Sequence, residues 1–389
     1  MLIRIYLRPN LINPFLLIIW TIIRQIISRI LTELYIFEKR YILLILMFFG
    51  ETVGGLILFI YHYNFLKNKK KSDSDKKAPK TGINIIQRNY EIKRPDGQLK
   101  IIFLILISAY FDYLEFIFCF SYLPKFYNIS LSLLLRLCCL LTIFSSLIMH
   151  FLLKFKIHRH QFYSLIVIGI CLILIIITEL CFQKIDQLLT YGEFMVAVLY
   201  LILIHVFLAL IDCIEKYLFE FNYIDQFQLL LFQGLFGTVM SFVFYMKENP
   251  LTEIIYIYNN NSFWEFILFI FLLFLYSVFS GLKNVYRVAT TKIFNPVTKS
   301  LADYIMNPFY ITYYYIVNND FFFNNKRNIY FFLINLILSL IIDFCGLVYD
   351  EFIILFFWGL EHETHREISK RAVSSFSVLM EDLDEDDNL

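Results

Sequence analysis

The chain has 389 residues, 59% of them hydrophobic and only 17% charged, with a formal net charge of +1. A soluble protein of this length could not hide that much apolar surface, so the composition points to a polytopic membrane protein. The lipid bilayer is then the first partner, and the lack of any basic-aromatic array excludes nucleic acid as another.

A helix needs about 20 apolar residues to cross a hydrocarbon core. Runs of that size occur at about 12–33, 41–62, 100–122, 129–152, 161–182, 193–214, 227–247, 265–288, 296–318 and 328–350. The first is the weakest, because Arg24 and Arg29 interrupt it; a helix lying in the interface competes with a spanning one there. Arg4 and Arg8 precede it without a short apolar core and a small-residue cleavage site, so the first span is expected to serve as an uncleaved signal. The second run is followed by a basic segment, 64–99, that mixes Lys69-Lys70-Lys71 and Lys76-Lys77 with Ser, Asp, Pro and Gly. It reads as a solvated cytosolic loop.

If ten spans alternate, the 154–160 loop and the 351–389 tail share that cytosolic side with both termini. Loops 123–128, 183–192 and 248–262 then face the other side. The sequons at Asn128 and Asn260 both fall there, and Asn260 is the better glycosylation site because Asn128 abuts a span. An endomembrane (Golgi, ER, or lysosome or vacuole) is the expected location.

Seven cysteines lie mostly inside the apolar runs and form no CxxC pair, so they read as small apolar fillers. His362, Glu363 and His365 lack the HExxH spacing, and the tail reads as a charged, solvated helix with an acidic end. His158-Arg159-His160 reads as a loop at the headgroup boundary. No catalytic motif, metal site or cofactor site is expected; there is no G-x-S-x-G and no phosphate-cradling glycine loop.

One stretch is written twice. Lys125-Phe-Tyr-Asn128-Ile-Ser-Leu-Ser-Leu-Leu-Leu-Arg136 aligns without a gap on Lys292-Ile-Phe-Asn295-Pro-Val-Thr-Lys-Ser-Leu-Ala-Asp303. Each copy opens an apolar run and carries a full charge about two turns inside it. The copies start spans four and nine, so a five-plus-five division follows. Five being odd, the second half must enter the membrane with opposite orientation, as in inverted-repeat transporters. The predicted fold is an all-α polytopic membrane protein of about ten transmembrane helices arranged as two inverted five-helix repeats. Its parts are an N-terminal segment with the weak first span (1–40), a first repeat (41–190), a second repeat (191–350) and the acidic tail (351–389).

Charges inside spans are expensive and mark cavities or partners. Arg136 and Asp303 each lie roughly 10 Å into their spans, from opposite edges. They read either as a gate holding the two ends of a solute or as a buried pair that locks two helices. Arg suits a planar anionic group such as a phosphate or carboxylate. Glu51 and Asp112 are deep acids of the first half, suited to proton coupling, although Glu51 could instead simply neutralise Arg136. Asn284 reads as a lining residue, while Lys283 and Arg287 share a face and read as snorkelling to the headgroups. Lys299 stands one turn before Asp303 and either pairs with it or attracts anions. Asp212 and Glu215 read as interfacial. Pro296 suits a helix's first turn, and Pro308 is expected to kink the ninth span.

Several motifs, in order, resemble those of a known family. They are Met47-Phe-Phe-Gly50-Glu51, Asp112, Leu135-Arg136, Lys156-Ile-His-Arg-His-Gln161 with Gly169, Glu215-Lys216-Tyr-Leu, Gln233-Gly234-Leu-Phe-Gly237, Thr291-Lys292 and Leu301-Ala-Asp303. The chain resembles the drug/metabolite transporter superfamily, in particular its nucleotide-sugar-transporter-like solute carriers of the F group. The resemblance implies ten helices, a central cavity and alternating access for a small organic solute. It differs from the group at Leu137, where a small residue is usual, at Gln233, where an acid is usual, and at Pro308. Only 12 glycines are present, so close helix crossings are expected to be scarce. The expected function is a secondary transporter or exchanger of a small organic solute, anionic by the presence of Arg136. The competing expectation is a transport-inactive accessory subunit, and a homodimer or membrane-complex partners fit either.

Overall fold

Helices make up almost all of the computed structural model, which describes residues 3–5, 12–35, 40–74, 97–118, 137–186, 191–245, 251–305 and 326–355, together with 307–309, 311–312, 360, 364 and 367. In chain order they are α1 (Ile12–Tyr35), α2 (Arg40–Ser74), α3 (Gln98–Ile117), α4 (Leu140–Leu153), α5 (Arg159–Asp186), α6 (Tyr191–Phe221), α7 (Gln226–Tyr245), α8 (Leu251–Asn260), α9 (Phe263–Ile293), α10 (Pro296–Tyr304) and α11 (Lys326–Tyr349). Two short strands, β1 (Ile3–Ile5) and β2 (Ile353–Leu355), pair antiparallel with Arg4 opposite Ile354. Six helical stretches among the described residues are long and apolar enough to cross a membrane: Ile42–Asn64, Arg159–Cys181, Phe194–Phe221, Gln226–Val243, Phe263–Ile293 and Ile329–Tyr349. The protein is thus an all-α integral membrane protein.

The helix starts follow local chemistry. Ser262 and Glu265 form a capping box at the start of α9: the Ser262 hydroxyl accepts from the Glu265 N–H at 3.4 Å, and the Glu265 carboxylate accepts from the Ser262 N–H at 2.8 Å. At α10, the Asn295 side chain accepts from the Thr298 N–H at 2.7 Å, and Pro296 occupies the first turn, where no backbone donor is missed.

Three expectations need correction. The 248–262 segment is not simply a loop, because it contains the helix α8. The ninth span does not run on to a kink: α10 ends at Tyr304, and Pro308 stands in a separate helical turn at 307–309. Pro308 has no N–H to continue the ladder from Tyr304. Residues 351–355 of the expected tail are ordered into a turn and β2, with Glu351 buried. The first copy of the doubled stretch, up to Arg136, lies outside the described residues.

The chain divides into two compact units. One comprises Met1–Leu11, Leu131–Thr190 and Tyr304–Leu389, and so holds α4, α5, α11 and the two strands. Here α5 packs along α11 and against α4. A hydrogen bond between Ser146 and Tyr349 (3.1 Å) fastens α4 to α11, and the Tyr304 hydroxyl donates to Ser339 at 3.3 Å. His158 and His160 belong to this unit and are buried, not solvated at a headgroup boundary. Their rings stack at 5.9 Å, and the carboxylate of Glu351 lies 3.5 Å from His160 Nε2. The Gln161 side chain accepts from the His158 N–H at 3.0 Å, which caps the start of α5.

The other unit, Ile12–Ser130 with Tyr191–Asp303, holds α1, α2, α3, α6, α7, α8, α9 and most of α10. Helix α2 lies between α7 and α9, α1 packs on α9, and α3 packs on α6 and α7. Few as they are, the glycines concentrate at these crossings. A Cβ on Gly50 would collide with the Ser277 carbonyl, and one on Gly281 with the Gly50 carbonyl, so α2 and α9 meet backbone to backbone. On the opposite side of α2, a Cβ on Gly234 would stand 2.6 Å from the Thr52 nitrogen, and one on Gly55 would stand 2.7 Å from that of Leu231. In a bilayer, where lipid tails are as apolar as Leu, such close approach is a main source of helix association. The Ser277 hydroxyl adds a bond across the crossing, donating to the Leu46 carbonyl at 2.9 Å.

Candidate functional site

The Gly50–Gly281 crossing also fixes where the next side chains go. Glu51 follows Gly50 directly, and Arg287 stands six residues beyond Gly281 on the facing helix. Arg287 is 7% exposed, and its guanidinium serves three acids from two helices. It donates to Glu215 Oε1 at 2.7 Å, and lies 3.6 Å from Glu51 Oε1 and 3.8 Å from Asp212 Oδ1. Glu51 and Glu215 are fully buried and Asp212 is 1% exposed.

Arg287, Asp212 and Glu215 therefore correct the sequence reading. Arg287 does not snorkel, and the two acids are not interfacial. Helix α9 continues to Ile293, one turn past the expected end of that span, so Arg287 is inside it. The desolvation of each charge is offset by the others, and a guanidinium offers enough donors to serve several carboxylates at once.

A second cation closes the cluster on α10. Lys299 donates to Asp212 Oδ2 at 3.1 Å and lies 3.8 Å from Asp303, one turn further on. The expected Lys299–Asp303 pair is present, but the shorter bond goes to Asp212. Gln233 of α7 ties the network to α3, donating through Nε2 to Ser108 at 2.6 Å and to Glu215 Oε1 at 3.0 Å. A carboxylate at 233 would set two acceptors against each other there, so the departure at Gln233 makes chemical sense beside Glu215.

Lys216, next in sequence to Glu215, has a different task. Its ammonium donates to the carbonyls of Thr291 (3.3 Å), Lys292 (3.3 Å) and Phe294 (2.8 Å), and pairs with Glu220 at 3.1 Å. It thus caps the C-terminal end of α9, where the helix dipole favours a positive charge. The Glu215-Lys216 dipeptide holds α9 at two levels, by its arginine and by its end. Further out on the same unit, His62 and Lys292 approach Asp225 at 3.1 Å and 3.9 Å.

Of the residues expected from sequence, five fall in this one unit. Glu51, Lys299 and Asp303 enter the ion-pair network directly. Asp112 is half-buried on α3 and feels Arg287, Lys283, Lys299 and Asp212 electrostatically without a direct ion pair among the described residues. Asn284 is 5% exposed, three residues before Arg287 and on the same side of α9. Arg136, the sixth, lies outside the described residues, and with it the proposed Arg136–Asp303 pair. Sequence reasoning missed Arg287, Asp212, Glu215 and Gln233 as site residues. The available signal was complementary spacing: Asp212 and Glu215 at i,i+3 on one helix, Lys283 and Arg287 at i,i+4 on another.

No metal-ligating group of three or more His, Cys, Asp or Glu is present among the described residues. What the cluster offers chemically is a set of exchangeable charge pairs between helices, buried in the middle of a helical bundle. No family model matches the chain, and no curated protein matches it either.

Proposed function

We propose that the chain is a secondary transporter or exchanger that moves a small organic solute across a membrane by alternating access. In this reading it has about ten transmembrane helices in two inverted five-helix repeats, after the manner of the drug/metabolite transporters it resembles. The observation that carries the reading is the buried charge cluster, to which both halves of the chain contribute. Glu51 and Asp112 come from the first half, and Asp212, Glu215, Arg287, Lys299 and Asp303 from the second. Buried ionisable groups at the meeting of two repeats are where transporters of this kind hold their cargo.

Two further observations support the repeat. Replacing each span by its mate five further along exchanges α1 with α6, α2 with α7, α3 with α9, and α5 with α11. Under that exchange the α1–α9 packing becomes α6–α3, and α2–α9 becomes α7–α3; both pairs occur. The α2–α7 and α5–α11 packings map onto themselves, as contacts across a two-fold axis should. The two compact units follow the same exchange for spans one to three with six to eight and for five with ten; spans four and nine depart from it, since α4 belongs to one unit and α10 up to Asp303 to the other. The motifs that carry the family resemblance also meet one another: a Cβ on Gly237 would strike the Phe48 ring, beside the Gly50 and Gly234 approaches.

Preference for an anionic solute rests on Arg136, because Arg287 and Lys299 are already committed to carboxylates. That commitment also favours a second reading, in which the cluster is a fixed lock and the chain a transport-inactive accessory subunit of a membrane complex. The membrane is an endomembrane in the primary reading, with both termini in the cytosol. The test is uptake by the purified full chain in proteoliposomes, screened with nucleotide sugars, nucleotides, amino acids and peptides. Saturable uptake that Arg136→Ala abolishes, with helicity and yield unchanged, is expected. Recovery only in a stoichiometric complex, with no uptake of any solute, would favour the accessory subunit.

A further inference from the structure

Among the described residues, the charges around Glu51 do not balance. Its own helix α2 places it against α9, which presents Arg287 and Lys283, while Glu215 of α6 and Asp112 of α3 lie within electrostatic reach. Helix α7, on the other flank of α2, brings Gln233 but no ionisable carboxyl or amine among its described residues. From α1, Arg24 touches the Met47 sulfur at 3.9 Å, one turn before Glu51, and acts on Lys283. Lys299 and Asp303 of α10 complete the set, and Lys216 is separately matched by Glu220. Among the described residues, five carboxyls (Glu51, Asp112, Asp212, Glu215, Asp303) thus stand with four cations (Arg24, Lys283, Arg287, Lys299). Among the described residues the set is one positive charge short.

The hydrogen bonds say where. Glu215 accepts from Arg287 and Gln233, and Asp212 accepts from Lys299. Asp303 is 27% exposed at its side chain and can be hydrated. Among the described residues, Glu51 alone of the ion-paired acids is fully buried with neither oxygen hydrogen-bonded; the nearest cation among them, Arg287 at 3.6 Å, gives its short bond elsewhere. A buried carboxylate without donors is the arrangement that proteins avoid, unless the group carries a proton or gains a ligand. A metal ion would require several convergent oxygens, and no such group is found among the described residues.

We infer that Glu51 is a proton-binding site at the α2–α9 crossing, the seat of a coupling proton for the transport proposed above. The step balances simply. A proton from the aqueous phase adds to the Glu51 carboxylate to give the carboxylic acid, and Arg287 keeps its charge and its bond to Glu215. Loss of that proton leaves Glu51 competing with Glu215 for one guanidinium. The crossing then favours a different arrangement, which is how protonation would bias alternating access. Coupling rests on the transport reading, whereas the proton site itself does not.

Infrared difference spectroscopy on the full chain in lipid nanodiscs, titrated in pH without any solute, tests the site. The expected result is a carboxylic-acid carbonyl band that shifts in deuterated water, disappears as pH rises, and is lost in Glu51→Gln but kept in Asp112→Asn. Glu51→Gln mimics the protonated state, so its melting temperature in acid should match the unsubstituted protein. No titrating band, a band that survives Glu51→Gln, or a band removed by sodium at constant pH would each overturn the proposal. So would a Glu51→Gln protein that fails to fold in acid. Because the titration uses no solute, a chain that binds the proton but moves no cargo would sink the transport reading and leave the site standing.

Discussion

Replacing Arg287 by Met keeps the side chain's bulk and removes the charge on which three acids converge. Among the described residues this leaves Glu51 and Glu215, both fully buried, with no direct cation, and Asp212 with Lys299 only. Removing one partner of a buried ion pair costs about 3–5 kcal/mol, because the other charge stays desolvated. The Glu215 bond at 2.7 Å is short and charge-assisted, so the upper part of that range applies. For a cooperative unit of this size, each kcal/mol lowers the melting temperature by about 2–4 °C, giving a loss on the order of 10 °C. The assay is thermal unfolding in nanodiscs, run for Arg287→Met, for Glu215→Gln and for the double variant. Glu215→Gln should restore about 2 kcal/mol in the Arg287→Met background, since one orphaned charge is gone while its amide can still meet Gln233. A loss under about 1 kcal/mol for Arg287→Met, or no recovery in the double variant, would refute the reasoning.

The helix crossings give a sharper contrast. Gly281→Ala should destabilise by about 1–3 kcal/mol, because its Cβ meets the Gly50 backbone, which cannot swing aside. Gly54→Ala, on the same flank but with its nearest neighbour, a Val285 methyl, at 3.7 Å, should be nearly neutral in the same melting assay. Lys216→Met removes the donor to three carbonyls at the end of α9, and should raise amide hydrogen exchange in the last turn of α9 while the rest of that helix stays protected. Gln233→Leu strips Ser108 and Glu215 of a shared donor and should cost about 1–3 kcal/mol, read as a lower melting temperature. Under the proposed topology, the exposed Asn260 faces the lumen, so Asn260→Gln should abolish a glycosidase-sensitive shift in gel mobility; a shift that persists would argue against that orientation.

Composition and run length were enough to make this an all-helical membrane protein, because a bilayer leaves no other use for so many long apolar segments. The helices α2, α3, α5, α6, α7, α9 and α11 all begin within a few residues of where the runs begin. The start of α10 was legible too, since Asn-Pro is chemically a cap and a first turn. Which charges meet was not legible. Glu51 and Arg287 are more than 230 positions apart, and nothing local to either says that Gly50 and Gly281 bring their backbones into contact. The same holds for Asp212 and Glu215, whose position near a helix end made the headgroups look like their natural partner. The sequence determined the solvent and the secondary structure, because hydrophobicity and capping are properties of neighbours along the chain. Only the tertiary structure decided that Arg287 is the centre of the site, because a buried charge is defined by what faces it across a helix crossing.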